Sequence, residues 1–183
     1  MTIKPSAGSG TRPTKGLARA AVFNSVQNSL PDAQVLDLFA GTGAMGLEAL
    51  SRGARSCTFV EYARPALAAL QENIKEAQRR FKAQGLDAPR IFVIPKPLAT
   101  AWEDIWARGP FELIWADPPY EDSTTTLPEI LTKLFDKGTT SQGTLIFETG
   151  TAIPSATRFP GWSFNRVTKY GNTYVHWFER TPK

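Results

Sequence analysis

Residues 35–50, VLDLFAGTGAMGLEAL, constrain the fold of this chain more than any other stretch. They predict a buried strand over residues 35–39, a loop with glycines at 41, 43 and 46, and the start of a helix. Because glycine has no Cβ, such a loop turns tightly and lets a ligand approach its backbone. A G-x-G-x-x-G spacing between strand and helix is typical of dinucleotide sites, where backbone N–H groups hold a pyrophosphate.

Asp37, near the end of that strand, favours a different ligand. Its carboxylate would repel a pyrophosphate, whereas it would attract the ammonium group of an amino-acid-like ligand. S-adenosylmethionine (SAM) carries such an ammonium group and also a positively charged sulfonium. The alternative is that Asp37 only accepts hydrogen bonds from the N–H groups of its own loop.

Length and composition indicate an ordinary globular chain. It has 183 residues, of which 42% are hydrophobic and 21% charged, and this predicts one domain with a sizeable core. We expect residues 1–14, rich in Gly, Ser, Thr and Pro, to form a flexible arm, and residues 15–183 to form the domain. No apolar run approaches the ~20 residues that span a bilayer, and no signal peptide is recognisable. We therefore expect a cytoplasmic protein with no membrane association, and a monomer.

Cysteine and histidine are too scarce for several kinds of site. Cys57 is the one cysteine, so an internal disulfide is excluded. His176 is the one histidine, and without a partner of its kind a dedicated metal site is not expected.

Basic residues concentrate at the two ends of the chain. Residues 1–31 hold four basic side chains and no acid, and residues 151–183 hold five with one acid, Glu179. If both ends fold to one side of the sheet, they form a basic patch suited to a phosphate backbone. The alternative is that these charges only keep the chain soluble.

The apolar pattern predicts alternating strands and helices. Strands are expected at 35–39, 57–61, 91–94, 111–116 and 143–148, followed by a hairpin at 163–180 that turns at Gly171-Asn172. Helices are expected at 15–30, from the glycine loop to residue 52, and at 65–84, 98–106 and 127–135. The core face of the first helix is predicted to carry Leu17, Ala20, Ala21, Phe23 and Val26. Such alternation predicts a doubly wound α/β fold, in which ligands bind at the carboxyl ends of parallel strands.

Glu61 ends the second predicted strand. A carboxylate at this position of a doubly wound unit can accept hydrogen bonds from both hydroxyls of a ribose. NAD enzymes and SAM enzymes share this feature, so it predicts an adenosine ligand without choosing between them. The alternative is an acid that is merely solvated at the end of a strand.

Asp117-Pro118-Pro119-Tyr120 follows the fourth predicted strand. The Asp117 carboxylate and the Pro118 carbonyl can accept both N–H bonds of an exocyclic amine, while Tyr120 stacks on the base for about 1 to 3 kcal/mol. Because a sulfonium needs no metal to activate its methyl group, catalysis would rest on positioning and electrostatics. The alternative is a turn that only ends the strand.

These motifs together resemble the RsmD-like family of class I SAM-dependent methyltransferases, whose founding members methylate N2 of a guanine in small-subunit (16S) ribosomal RNA. The resemblance rests on five segments. They are Arg12-Pro13-Thr14 with Arg19 and Phe23-Asn24, the glycine loop from Asp37 through Gly46-Leu47-Glu48-Ala49, Glu61 with Asn73, Asp117-Pro118-Pro119-Tyr120, and Lys169-Tyr170-Gly171-Asn172-Thr173.

The resemblance implies a Rossmann-like, mostly parallel seven-stranded sheet with an antiparallel C-terminal hairpin. It implies guanine-N2 methylation of ribosomal RNA, with the RNA or the small subunit as partner and SAM as cofactor. The target amine is assigned to Asp117, Pro118, Pro119 and Tyr120. The SAM site is assigned to Asp37, Phe39, Ala40, Gly41, Thr42, Gly43, Glu61, Tyr62 and Leu98. Candidate RNA contacts are Arg12, Thr14, Lys15, Arg19, Arg166 and Lys169.

Two departures from the family pattern shape these expectations. Family members usually begin with a basic β-hairpin, and only eleven residues precede Arg12 here, so we expect no such hairpin. Many SAM enzymes have an acid or amide after the third strand to contact adenine, whereas this chain has Pro95-Lys96-Pro97. Adenine recognition is therefore expected to use backbone groups such as the Leu98 N–H.

Three other functions stay open. A DNA adenine-N6 methyltransferase shares the Asp-Pro-Pro-Tyr turn, although 183 residues leave no room for a separate target-recognition region. A non-catalytic RNA-binding module of the same fold is favoured by the altered segment 95–97. An NAD-dependent dehydrogenase is disfavoured because no residue near the crevice resembles a hydride-site acid or base.

Overall fold

The computed structural model describes residues 13–119, 123–154 and 158–181. Its helices are α1 (Pro13–Val26), α2 (Ala44–Ser51), α3 (Arg64–Ala83), α4 (Leu98–Trp106) and α5 (Ser123–Lys133), the last continuing into a π-helical segment, Leu134–Gly138. Its strands are β1 (Gln34–Leu38), β2 (Ser56–Val60), β3 (Arg90–Ile94), β4 (Phe111–Ala116), β5 (Thr139–Thr149), β6 (Trp162–Tyr170) and β7 (Thr173–Arg180).

The strands form one seven-stranded sheet in the order β3-β2-β1-β4-β5-β7-β6. Strands β1 to β5 pair in parallel, whereas β7 runs antiparallel to both β5 and β6. The predicted mostly parallel α/β sheet with an antiparallel C-terminal hairpin is therefore confirmed. The strand order reverses between β1 and β4, and such a switch point opens a crevice at the carboxyl ends of the strands.

Helices cover both faces of the sheet, which explains why the central strands are mostly apolar and almost wholly buried. The first face packs against α1, α2 and α3, with Phe23, Leu47 and Leu70 in its core. The second face packs against α4, α5 and the π-helical segment, with Trp102 and Ile130 in its core.

Local sequence signals set the ends of α2 and α3. Gly53, at φ 99°, follows α2, where the Gly53 N–H donates to the Leu50 carbonyl and the Ala54 N–H to the Ala49 carbonyl. This pairing is the Schellman arrangement, which favours glycine because of its left-handed backbone. Helix α3 carries Pro65 in its first turn, where the missing N–H has no consequence.

The first helix differs from the prediction at both ends. It begins at Pro13 and ends at Val26, whereas a flexible arm to residue 14 and a helix over 15–30 were expected. Proline suits the first position of a helix, so Pro13 belongs to α1, while residues 1–12 of the predicted arm lie outside the described residues. Its core face carries Val22 with Phe23 and Val26, while Ala20 is exposed, so the predicted face was wrong at that position. Leu17 is outside the side chains that the structure describes.

Helix α5 and strand β5 both begin earlier than predicted. Helix α5 starts at Ser123 rather than 127 and places Pro128 inside the helix. Strand β5 starts at Thr139 rather than 143, because a shift in its register against β4 adds residues between the partners of Phe111 and Leu113. The apolar pattern from which the strand was predicted is present only in the residues that follow this shift in register.

Candidate active site

Three acids lie at the carboxyl ends of three adjacent strands. Asp37 is the fourth of the five residues of β1, Glu61 directly follows β2, and Asp117 directly follows β4. Asp37 is only 2% exposed and Glu61 9%, whereas Asp117 is partly exposed. The crevice at the switch point is therefore strongly acidic.

Asp37 combines a hydrogen bond to the glycine loop with a strongly perturbed pKa. Its Oδ2 accepts a hydrogen bond of 2.8 Å from the Gly46 N–H. Asp37 thus accepts a backbone hydrogen bond from the glycine-rich segment, as the alternative to a ligand role predicted. Burial raises the pKa of Asp37 to about 8; the bond from Gly46 opposes this, and the charges of Asp117 and Glu61 add to it. At neutral pH this carboxyl therefore holds a proton, which a neighbouring cation would displace.

Gly41 and Gly43 lie in the loop, whereas Gly46, which was also predicted in the loop, is the third residue of α2. A Cβ at Gly46 would lie 2.3 Å from Cε1 of Phe59, and one at Gly43 would lie 2.4 Å from Cδ1 of Leu70. A Cβ at Gly41 would meet no atom within 4 Å, although its φ of 57° still favours glycine. Gly43 and Gly46 thus allow α2 to pack closely, and Gly41 is the glycine that faces open space.

The turn into this loop includes a strained residue. Phe39 has a φ of 60°, a left-handed conformation that costs a non-glycine residue about 1 to 2 kcal/mol. The Ala40 N–H donates to the Val60 carbonyl at 3.0 Å, and the Gly43 N–H donates to the Ala40 carbonyl at 2.8 Å. These bonds anchor the turn to the end of β2 and hold its backbone in the strained shape.

Glu61 fastens the loop to the start of α3. Its Oε2 accepts a bond of 2.8 Å from the Gly41 N–H, and its Oε1 accepts bonds from the N–H groups of Tyr62 at 2.8 Å and Ala63 at 2.7 Å. A carboxylate has about four acceptor positions, so roughly one remains for a ligand hydroxyl. Tyr62 itself is 62% exposed beside this carboxylate.

Asn73 supports the loop from α3, although it is not among the site residues predicted from the sequence. Its Nδ2 donates a bond of 3.0 Å to the Thr42 carbonyl, and its side chain is buried. The signal that could have identified it is an amide within the apolar face of α3, between Leu70 and Ile74. A buried amide requires hydrogen-bond partners, and here the loop supplies one.

The remaining predicted site residues lie around the same edge. Pro118 is buried and Pro119 exposed after β4, while Tyr120 lies outside the described residues. Leu98 is the first residue of α4, so its N–H has no partner within the helix. Phe39 and Leu98 both pack against the core of the second face, and Ala40 is buried.

The candidate RNA contacts do not form a single cluster. Arg166 stacks over the ring of Trp177 at 4.3 Å, and Trp177 belongs to the core of the first face, with α1. Lys169 lies 5.1 Å from the ring of Tyr174, at the tip of the hairpin. Residues three apart on a regular strand point to opposite faces, so Arg166 and Lys169 lie on different sides of the sheet.

The N-terminal candidates are only partly described. Arg19 lies on α1 and is partly buried, so it shares the first face with Arg166. Thr14 and Lys15 lie in α1, although their side chains are not described, and Arg12 precedes the described residues.

Neither histidine nor cysteine contributes to the crevice. The Nε2 of His176 accepts a bond of 2.9 Å from the Ile153 N–H, and its Nδ1 lies 3.3 Å from the Phe147 carbonyl. Cys57 is buried in the core. Among the residues that the structure describes, no group of three or more His, Cys, Asp or Glu side chains could hold a metal ion. Within the same ranges, no helix is both long and apolar enough to cross a membrane.

Sequence comparisons match nearly the whole chain to known proteins. The model of a family described as Conserved hypothetical protein 95 matches residues 1–179. Ribosomal RNA small subunit methyltransferase D of Escherichia coli (strain K12) is 30% identical over 175 residues, which cover 93% of this chain and 80% of that protein.

Two further proteins are similar to this chain. A Bacillus subtilis (strain 168) protein provisionally named rRNA methyltransferase YlbH is 35% identical over 123 residues. That match covers 66% of this chain and 62% of the other protein, which is less than two thirds of its length. The solved structure of a conserved hypothetical protein of Streptococcus pyogenes is 28% identical, with a TM-score of 0.74, over 88% of this chain and 94% of that one.

Proposed function

Because the chain belongs to the family described as Conserved hypothetical protein 95, we propose that it transfers a methyl group from SAM to ribosomal RNA. The acceptor in this proposal is the exocyclic N2 amine of a guanine. The family match and the relative in Escherichia coli confirm the resemblance found in the motifs. The names of both curated relatives support ribosomal RNA as the substrate.

One observation carries the choice of cofactor. The three acids Asp37, Glu61 and Asp117 surround a glycine loop that could otherwise suit a pyrophosphate. The charges of Glu61 and Asp117 disfavour a polyanion there, and Asp37 releases its proton beside a ligand that carries positive charge. SAM has two such charges, the ammonium group and the sulfonium.

In this proposal, different residues of the site bind different parts of SAM. Asp37 receives the ammonium group, and Gly41 leaves space for the methionine part. Glu61 accepts hydrogen bonds from the ribose hydroxyls. Its Oε2 then either loses its bond from the Gly41 N–H or keeps it beside the new one. Tyr62 and the Leu98 N–H are available to the adenine, since one is exposed and the other begins a helix.

Asp117 and the Pro118 carbonyl hold the target amine. When bound, SAM supplies an electrophilic methyl group on a positively charged sulfur. Two acceptors aimed at the N–H bonds orient the nitrogen lone pair away from the ring plane and toward that methyl group. As the nitrogen forms its fourth bond, Asp117 accepts the proton that the amine loses. Catalysis therefore rests on orientation and charge.

The test is transfer of labelled methyl from SAM to small ribosomal subunits from cells that lack the modification. Free ribosomal RNA and unmethylated DNA serve as parallel acceptors, and nucleoside analysis identifies the product. We expect N2-methylguanosine from RNA, and a loss of at least about 100-fold in rate for Asp117→Asn. Asp87→Asn, an exposed acid in the loop before β3, is the matched control and should keep full activity.

The outcomes separate the competing functions. N6-methyladenosine recovered from DNA would support the DNA methyltransferase instead. Absence of label on every acceptor, with RNA binding intact and no SAM binding by calorimetry, would support a non-catalytic module. Undiminished transfer by Asp117→Asn would refute the role of this acid.

A further inference from the structure

A second pocket lies at the opposite end of the same strands. It has a volume of about 330 Å³ and lies where β1, β2 and β3 begin. Gln34, Ser56 and Arg90 are aligned across these strands and line it together with Phe92. Arg55, just before β2, and Arg108, just after α4, complete the wall. The five residues of β2 separate this pocket from Glu61 by about 15 Å.

The three arginines of this pocket are only weakly neutralised. Nε of Arg55 lies 3.9 Å from Oδ1 of Asp32, whose side chain is 80% exposed. Within the described ranges, Arg90 and Arg108 form no ion pair with a carboxylate. The guanidinium of Arg108 instead lies over the ring of Phe92, with 4.2 Å between its Cζ and the ring centroid. Exposed pairs at such distances contribute little, so the pocket keeps a positive charge.

Nearby negative groups do not fully neutralise the charges of these arginines. The carboxylate of Glu112 accepts the Gln34 N–H at 2.7 Å. The carboxyl end of α4 presents about half a negative charge. Part of this end is already satisfied, because the Ala107 N–H donates to the Glu103 carbonyl and the Gly109 N–H donates to the Ile105 carbonyl. The three positive charges of the arginines therefore still exceed the two carboxylates of Asp32 and Glu112 and the half charge of the helix end together.

We propose that this pocket binds a phosphate group. Guanidinium groups offer paired N–H donors that match phosphate oxygens, and three arginines line this one cavity. Ser56 lines the same cavity, and its hydroxyl is a further hydrogen-bond donor. The volume lies at the lower end of the range for small-ligand sites, which suits a phosphate with part of its attached sugar.

The phosphate can come from two sources, the backbone of the RNA substrate or a free phosphate compound. The RNA source rests on the proposed function, because one RNA would then contact both ends of the sheet. The phosphate site itself does not depend on methyl transfer. Experiments on the intact chain can therefore separate the two proposals.

The first arm uses inorganic pyrophosphate, followed by amide chemical shifts. We expect shifts at Ser56, Arg90 and Arg108, and a loss of affinity of at least tenfold in the double variant Arg90→Gln/Arg108→Gln. Arg79→Gln is the matched control for charge, since its side chain is 76% exposed on α3. An unchanged thermal midpoint shows that each variant is folded. Absence of shifts in the pocket, or equal losses in the control and the double variant, would overturn the proposal.

The second arm measures the salt dependence of binding to a small-subunit ribosomal RNA fragment. Each phosphate contact contributes about 0.9 to the slope of log affinity against log salt for a duplex. We expect that slope to fall by about 1 in the double variant and to stay constant in Arg79→Gln. If pyrophosphate binds but the slope is unchanged, the site is supported with a free phosphate as its ligand. Pyrophosphate binding without methyl transfer would refute the proposed function and leave the phosphate site standing.

Discussion

The two ends of the central strands carry opposite charges and are built differently. At the carboxyl end, Asp37 and Glu61 are buried and accept hydrogen bonds from the backbone. At the amino end, Arg55 and Arg90 are exposed and make few contacts. Buried charged groups need prearranged partners, whereas exposed arginines need only space. Substitutions at the carboxyl end should therefore have larger effects, of either sign, than substitutions at the amino end.

The carboxyl end also includes features that oppose stability. A raised pKa means that ionising Asp37 is harder in the folded protein than in the unfolded chain. The left-handed Phe39 adds backbone strain. Such features persist where a ligand uses them. No raised carboxyl pKa and no left-handed non-glycine residue occurs among the described residues that line the arginine pocket, the pocket of Arg55, Arg90 and Arg108.

The largest expected effect is that of Gly46→Ala. Its Cβ would lie 2.3 Å from Cε1 of Phe59 and 2.5 Å from Sγ of Cys57, both fully buried. We expect a loss of about 3 kcal/mol or more in the free energy of unfolding, measured in denaturant. Gly85→Ala is the control, because its φ is 68° and no atom lies within 4 Å of the new Cβ. It should cost only about 1 kcal/mol, and equal losses would contradict the close packing at Gly46.

Asp37→Asn should weaken SAM binding and strengthen the fold. Loss of a charged partner for the ammonium group should lower SAM affinity about 10- to 100-fold, measured by calorimetry. Because Asn carries no proton to lose, the variant should be more stable at pH 7 by about 1 to 3 kcal/mol. Unchanged SAM affinity would contradict the assignment of Asp37 to the cofactor.

The pH dependence of stability should separate the wild type from this variant. The folded pKa of Asp37 lies at about 8, above the unfolded value of 3.8, so the folded state binds more protons between these values. The contribution of Asp37 to stability is therefore fully present below about pH 4 and decreases as the pH rises toward 8. Urea unfolding at several pH values should show this decrease in the wild type and less of it in Asp37→Asn. An identical pH profile would show that Asp37 ionises normally.

Asn73→Ala should have a moderate effect. It leaves the partly buried Thr42 carbonyl without its partner on α3, which costs about 1 kcal/mol. SAM affinity should fall several-fold, because the loop loses a support but keeps its glycines. Gln78→Ala, exposed on the same helix, is the control and should change both quantities by little. Equal effects of the two variants would indicate that Asn73 does not hold the loop.

The smallest effect should come from Arg55→Gln at the amino end. Its one described ion pair is long and exposed, so stability should change by less than about 0.5 kcal/mol. The distance to the acids exceeds the screening length at physiological salt, which is about 8 Å. SAM affinity should therefore change less than twofold in calorimetry. A larger change would show that the two ends are coupled.

Sequence alone predicted the parts of the fold that depend on local patterns. The glycine spacing, the strand-end acids and the apolar runs identified β1, the loop and the carboxyl end of the sheet. Backbone conformations that need glycine, such as the φ of 80° at Gly43, leave a spacing that can be recognised. The predicted start of β5 was wrong because the shifted register against β4 depends on tertiary contacts. The predicted start of α5 was wrong because Pro128 lies in the interior of that helix, whereas proline favours the first turn.

Contacts between distant segments could not be predicted in the same way. The bond from the Gly41 N–H to Glu61 depends on where the loop lies against β2. Which neighbours Arg166 and Lys169 meet on the two sides of the sheet depends on how β6 pairs with β7. The arginine pocket depends on the alignment of three strands. None of these contacts has a fixed spacing along the chain.

The most direct test of this account is an amide chemical-shift map of the full chain during titration with SAM. We predict shifts concentrated at Gly41, Gly46 and Tyr62, the amides that now bind Asp37 and Glu61. The amides of Ser56 and Arg90 should remain unchanged. Shifts centred on the amino end of the strands, or saturating SAM with no change at the glycine loop, would contradict the assignment of the acidic end as the cofactor site.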